Sequence, residues 1–286
     1  MKQPIKPDKP EANVVGSTAN ISGDVSASHQ VKDWRGGRST LVADQIIEEQ
    51  AVALVYNGIS HVVMMATPDH LEDFALGFSL SEGIILAADE LYNLEISKRK
   101  QGIEVAMDIS AERFALLKEA RRNMTGRTGC GLCGAESLEQ AIREPKPVSE
   151  SQKFPHQSIE KAVLNLEANQ PLQAITGAVH GAAWCNSEGE IERVREDVGR
   201  HNALDKLYGS LCGDKQQGSA HHFVLISSRA SYEMVVKAAA MGVGLLVAVS
   251  APTRLAIELA ERVNITLVGF ARPGRHMVYT HPQRIV

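Results

Sequence analysis

Apolar residues occur singly over the first 30 positions and then begin to alternate and cluster, and this change of pattern divides the chain. Residues 1–30, rich in Pro, Lys, Ser, Asn and Asp, carry too little apolar surface to bury against a core and read as a disordered tail. Order is expected from near Val42. Ala51 to Tyr56 and Ile59 to Met65 flank Asn57-Gly58, two residues that tolerate positive φ, so a tight β-hairpin is predicted. Thr67-Pro68-Asp69 offers an N-cap, a proline for the first helical position and an early acid. Leu71, Phe74, Ala75 and Phe78 follow at helical spacing, predicting a short amphipathic helix that ends near Glu82-Gly83. Strands over Leu94–Ile96 and Glu104–Ile109 and a helix over Ala111–Arg121 complete a small α+β domain spanning 31–121.

Residues 122–155 are dominated by Gly, Arg, Glu, Pro, Ser and Lys and read as a flexible connection. Beyond it lies a second domain, 156–286, opening with a helix that carries Ala162, Val163 and Leu166 and a strand over Leu172–Val179. His222–Ser227, Leu245–Ser250 and Ile265–Phe270 then read as strands, alternating with helices over Ser231–Ala240 and Pro252–Val263. Such spacing predicts parallel strands joined by right-handed crossovers, hence a layered α/β fold.

Composition narrows the function classes. A net charge of −4 over 286 residues gives no global basic field, which argues against nucleic-acid or membrane binding through bulk charge. The longest apolar runs, such as Leu245–Val249, fall far short of the roughly 18–20 residues that span a bilayer. Four cysteines do not make a disulfide framework in a chain of this size, and Met-Lys-Gln-Pro-Ile-Lys-Pro has no apolar secretion region. The expected setting is a reducing cytoplasm.

Two places carry candidate chemistry. The first is Gly-Arg-Thr-Gly-Cys-Gly-Leu-Cys-Gly at 126–134, where Cys130 and Cys133 stand near Arg121, Arg122 and Arg127, and positive charge favours thiolate over thiol. Taken alone, such a pair fits half a zinc site, a redox dithiol or sulfur chemistry. Cys185 and Cys212 read as packing residues. The second is the carboxyl rim of the predicted parallel sheet, where ligands bind because loops converge and helix N-termini present free N–H groups. Ser228 and Arg229, Thr253, and Phe270, Ala271, Arg272, Pro273, Gly274 and Arg275 follow three of its strands. The segment Thr176 to Ala182 is assigned to a fourth strand end and brings His180. In Arg195 to Lys206, Asp197 is expected to cap a helix with Arg200 and His201 in its first turns. Hydroxyls, glycines and arginines on one rim suit phosphate oxygens and heterocycle edges, so a large anionic ligand is expected.

These segments, with Ser228 to Lys237, Ser250 to Thr253 and Leu267 to Arg272, occur in an order that resembles the FdhD family of formate dehydrogenase accessory sulfur carriers. The resemblance covers about residue 45 to the C-terminus, with Ala178 standing where the family pattern has glycine. It implies a three-layer, cytidine-deaminase-like α/β domain beside the smaller N-terminal one. It implies a sulfurtransferase that takes persulfide sulfur from a cysteine desulfurase and delivers it to molybdenum cofactor in its bis(molybdopterin guanine dinucleotide) form, for formate dehydrogenase. Cys130 then carries the persulfide, Cys133 is relay or resolving thiol, and Phe270 to Arg275 matches the family's cofactor-binding stretch. No intrinsic metal is implied. The fold analogy to zinc deaminases does not extend to their chemistry: His180-Gly181-Ala182 lacks the required glutamate, and the C-x-x-C lies upstream of that histidine. A non-catalytic chaperone that only binds the molybdenum cofactor is the alternative, and a homodimer is expected from the need to cover an exposed hairpin edge.

Overall fold

The computed structural model describes residues 25–122, 145–149, 152–212 and 221–286. Order starts well before Val42. Ser26–Arg35 (β1) and Arg38–Ile47 (β2) form an antiparallel hairpin that turns through Gly36 and Gly37, both at positive φ. Residues 26–30 therefore stand in a strand, not in the expected tail. Both strands are exposed along most of their length, with Trp34 and Leu41 among the more exposed apolar residues. Neither face has a core to meet, so the sequence carries no period-2 burial pattern.

Gln50–Tyr56 (β3), Ile59–Ala66 (β4), Leu91–Arg99 (β5) and Gly102–Ile109 (β6) build a four-stranded sheet in the order β4-β3-β6-β5. Its β3–β4 turn is the expected Asn57-Gly58, at φ 46° and 79°. Helix α1 (Leu71–Ser81) covers one face and shares a core with Leu54, Tyr56, Val105 and Met107, while α2 (Ala111–Arg122) follows β6. Helix α1 begins at Leu71 rather than at Pro68, with His70 at its N-cap in the left-handed region. Thr67 does not cap it: the residue is fully buried and held by the other half of the molecule.

That half is a six-stranded sheet in the order β12-β11-β10-β9-β7-β8. Helices His156–Leu166 (α3) and Pro171–Thr176 (α4) precede strands β7 (His180–Asn186) and β8 (Ile191–Asp197). Then follow helix α5 (Arg200–Leu211), strand β9 (His222–Ile226), helix α6 (Tyr232–Ala240), strand β10 (Leu245–Ala248), helix α7 (Arg254–Arg262) and strands β11 (Thr266–Arg272) and β12 (Arg275–Val278). Only β9, β10 and β11 are mutually parallel; β7, β8 and β12 run antiparallel to their neighbours. The sheet buries both faces. Leu204, Leu207, Met234, Val235 and Leu259 from α5, α6 and α7 pack on one side, and Ile159, Ala162 and Leu166 from α3 on the other. Layers of helix, sheet and helix result.

The strand expected over Leu172–Val179 is helix α4. Pro171 fixes the first helical φ, the Glu196 carboxylate accepts N–H bonds from Leu172 and Gln173 at 2.9 Å, and Gly177 ends the helix at φ 66°. The acceptor lies 20-odd residues downstream, where local spacing cannot reveal it.

Helices α1 and α5 cross at backbone contact. A Cβ on Gly77 would stand 1.8 Å from the Asp205 carbonyl oxygen, and one on Gly209 1.9 Å from that of Asp73. Two buried ionic clusters lie beside this crossing. In the first, Lys206 Nζ donates to Asp197 Oδ2 (2.7 Å) and to the Thr67 carbonyl (2.9 Å), and the Thr67 N–H donates to the same carboxylate. In the second, Lys237 on α6 donates to both Asp205 oxygens and to Ser81 Oγ, each at 2.9 Å, and pairs with Glu82.

Candidate functional site: the carboxyl rim of the six-stranded sheet

A run of main-chain bonds ties the rim together. Ser227 N–H donates to the Gly181 carbonyl and Gly181 N–H to Ser227 Oγ, both at 2.9 Å. Ser250 N–H reaches the Ser228 carbonyl (3.4 Å), Phe270 N–H the Ser250 carbonyl (3.1 Å) and Thr253 N–H the Ala230 carbonyl (3.0 Å). The loops after β9, β10 and β11 therefore form one continuous edge. His180 joins them by a different route from the one expected. It begins β7 rather than following a strand, and because β7 is antiparallel to β9, its start lies where β9 ends.

The predicted residues divide by what they present. Arg229, Arg272 and Arg275 are exposed and not ion-paired among the described residues. Phe270 is 41% exposed and sits at φ 49°, a conformation that costs an aromatic residue of order 1–3 kcal/mol. A register shift between Gly269 and Arg272 turns it out of the sheet. Pro273 and Gly274 form the exposed turn into β12, where Gly274 has φ 73°. Three members contribute to the scaffold instead. The Ala271 methyl is fully buried in the α3-side core, Thr253 Oγ1 accepts the Ala256 N–H as the N-cap of α7, and buried Ser228 donates to the Arg229 carbonyl.

At the other end of the rim, Gly199 is the N-cap of α5, and Arg200 and His201 occupy its first turn as expected. Asp197 is not the cap. Completely buried, it accepts from Gly199 N–H (2.7 Å) and Asn202 Nδ2 (3.0 Å) as well as from Lys206, and so fixes the start of α5 without facing solvent. His201 Nε2 pairs with Glu233 Oε2 at 2.8 Å, and this bond to His201 holds the Glu233 carboxyl below its usual range. Burial, then Arg200 and His201, push the His180 pKa down, with Asp197 opposing. His180, Arg200 and His201 thus form one electropositive corner, in which Arg200 Nε and Ser231 Oγ are buried with no hydrogen-bond partner among the described residues. Three strand spacings, roughly 14 Å, separate β7 from β11. The rim offers an aromatic and arginines at one end and an anion-seeking corner at the other.

Glu233 was not anticipated from the sequence, although an acid in the first turn of a helix after Ser231 was a readable signal. Cys130 and Cys133 lie outside the described residues. The chain returning from them is anchored where Val148 N–H donates to the Val263 carbonyl (2.9 Å) and Asn264 Nδ2 donates to the Val148 carbonyl (2.7 Å), at the amino end of β11. Burial pushes the Cys185 thiol pKa up, and that of Cys212 up to about 11, so these two are packing residues with little thiolate near neutrality.

The model of the FdhD/NarQ family matches residues 47–286. The chain belongs to this family. Similar proteins include two named sulfur carrier protein FdhD. That of Cupriavidus necator is 56% identical over 89% of this chain and 88% of its own length, and that of Xanthomonas euvesicatoria pv. vesicatoria is 49% identical over 91% and 92%. A crystal structure of a formate dehydrogenase accessory protein from Desulfotalea psychrophila superposes with a TM-score of 0.70 at 27% identity, covering 92% of this chain and all of the other. Among the described residues of this FdhD/NarQ member, no helix is long and apolar enough to cross a membrane, and no group of three or more His, Cys, Asp or Glu is placed to hold a metal ion.

Proposed function

We propose that this protein is a sulfur carrier for formate dehydrogenase: Cys130 takes sulfur from a cysteine desulfurase as a persulfide, and the sulfur is delivered to the bis(molybdopterin guanine dinucleotide) form of molybdenum cofactor held on the rim. The Cys130 thiolate attacks the outer sulfur of the desulfurase persulfide, the S–S bond there breaks, and the desulfurase cysteine leaves as thiolate. Attack by Cys133 on the inner sulfur of the new persulfide releases hydrosulfide and leaves a Cys130–Cys133 disulfide, which an external thiol reductant must reopen. The cofactor is cargo. Exposed Phe270 supplies a face on which a guanine stacks, Arg229, Arg272 and Arg275 meet phosphate oxygens, and His180, Arg200 and His201 receive the distal anionic end.

The observation that carries this reading is the convergence, in a chain of the FdhD/NarQ family, of unpaired arginines and an outturned aromatic on one rim. Reach is adequate. About 15 residues separate Cys133 from its anchor at Val148, ~50 Å when extended, while β11 is only about 23 Å long.

Incubation with a desulfurase and cysteine, followed by intact-mass and peptide mass spectrometry, is expected to add about 32 Da, one sulfur, at Cys130. An adduct on neither Cys130 nor Cys133 overturns the carrier role. A Cys130→Ala protein that still yields active formate dehydrogenase in cells points instead to a chaperone that binds the cofactor without transferring sulfur.

A further inference from the structure

The β11–β12 hairpin is firmly paired at its base, where Tyr279 N–H donates to the Leu267 carbonyl at 2.8 Å, but its tip has little ladder of its own. Pairing is regular at Val268↔Val278 and Gly269↔Met277 and then shifts, so that Arg272 and Arg275 close the tip with Phe270 and Ala271 unmatched. Two braces come from α3. Gly274 N–H donates to Glu160 Oε1 at 3.1 Å, and His156 Nδ1 stands 2.7 Å from His276 Nε2 with the ring centroids 4.8 Å apart. We infer that His156 and Glu160 are positioning residues for the stretch Phe270–Arg275, and that the His156–His276 bond is a proton-sensitive latch on it. The inference rests on the reading of this stretch as cofactor-binding.

A hydrogen bond between two imidazoles needs one donor nitrogen and one bare acceptor nitrogen. The first proton taken up by the pair goes to an outward nitrogen and leaves the bond in place; a proton on the facing acceptor nitrogen breaks it, because both facing nitrogens then carry hydrogen and both rings are cationic. The groups that face His276 are His156 and Glu160, both on α3. Arg275 precedes it in β12 and points to the opposite face by strand alternation, and Val286, the last residue, brings its α-carboxylate beside His156, one oxygen accepting the His156 main-chain N–H at 2.9 Å. Burial and then His156 hold His276 below the usual histidine range, with Glu160 opposing, so the latch is closed near neutrality and opens as pH falls. Protonation also gives Glu160 a cation to pair with in place of Gly274 N–H. The His156 brace is then lost and the Glu160 contact passes from the tip at Gly274 to His276, so that Arg272 and Arg275 are held less firmly.

The test uses the full chain, wild type and His156→Gln. A glutamine can accept from a protonated His276 and donate to a neutral one, so it keeps the brace but removes the pH dependence. Amide hydrogen exchange of peptides covering 266–279, corrected for intrinsic rates, is expected to lose about tenfold protection in wild type between pH 8 and pH 5.5, the order expected for one linked proton, and to stay level in His156→Gln. Glu160→Ala is expected to loosen the same peptides at both pH values. The second readout is GDP affinity. The ratio of variant to wild-type affinity is expected to rise about tenfold over the same interval, a comparison in which the contribution of His180 cancels. Identical exchange profiles for wild type and His156→Gln overturn the latch. Exchange that follows the latch while GDP binds neither protein at any pH leaves the latch standing and overturns the cofactor reading.

Discussion

Asp197, Lys206, Asp205 and Lys237 show how charged residues inside the recognised segments serve two ends. From spacing alone Asp197, Asp205 and Lys206 share the stretch that carries Arg200 and His201, Lys237 closes the stretch that begins at Ser228, and all of them could face a ligand. In the fold, Asp197 and Lys206 are completely buried against Thr67, roughly 130 residues earlier in the chain, and that distance hides their role. Removing one partner of a buried pair strands the other charge, at about 3–5 kcal/mol. Lys206→Ala is therefore expected to lower the urea unfolding midpoint by an amount corresponding to that range. Arg200→Ala, whose Nε has no partner among the described residues, should leave the midpoint nearly unchanged and weaken guanine-nucleotide binding in a titration. Thiol chemistry separates along the same line. Burial raises the Cys185 and Cys212 pKa values, so iodoacetamide at pH 7.5 should label Cys130 and Cys133 in the native protein and reach Cys185 and Cys212 only after denaturant is added, as peptide mapping will show.

At the level of elements, legibility followed burial. Strands β9, β10 and β11 are continuous apolar runs with both faces covered, and helices α1, α3, α6 and α7 carry apolar residues at helical spacing; all of these were readable. The β1–β2 hairpin has no buried face, and β7 and β8 mix Gly, Ala and charged residues, so none of them stood out. Although 172–176 is helix rather than strand, His180 lies at the expected edge because β7 enters the sheet reversed. The α1–α5 crossing was equally hidden, since Gly77 and Gly209 are ordinary helical glycines until the opposing backbone is known. Adding a methyl group at either position forces the helices apart, and overpacking of this kind costs typically 1–3 kcal/mol or more. Gly77→Ala and Gly209→Ala should each lower the thermal midpoint by several degrees. Gly58→Ala, at φ 79° in open space, carries only the backbone penalty of about 1–2 kcal/mol and should leave the α1–α5 contact intact, as protection of α1 amides will report.

For the whole molecule, histidines tie stability and ligand binding to pH with opposite signs. His70, His180 and His276 are all held below the usual histidine range, in each case first by burial. Each native pKa is thus lower than its unfolded value near 6.5, and as pH falls through that value the unfolded chain takes up protons that the native state resists. Their contribution is fully present above the unfolded pKa and is lost on acidification. Glu233, held low by His201, adds a second loss in the carboxylate range. The thermal midpoint of the free protein should therefore fall between pH 8 and pH 5.5, whereas in the carboxylate range Asp205, raised first by burial, opposes Glu233. An anionic ligand at the corner of His180, Arg200 and His201 reverses the first step, because a phosphate beside His180 favours its protonated form and raises its pKa. Nucleotide binding near pH 6.5 should accordingly take up protons, visible in calorimetry as a binding heat that varies with the ionisation enthalpy of the buffer. His180→Gln should reduce that dependence without abolishing binding, since the arginines at the far end of the rim remain. A binding heat independent of the buffer in the wild-type protein would place the ligand's charge away from His180 and confine recognition to the Phe270–Arg275 end of the rim.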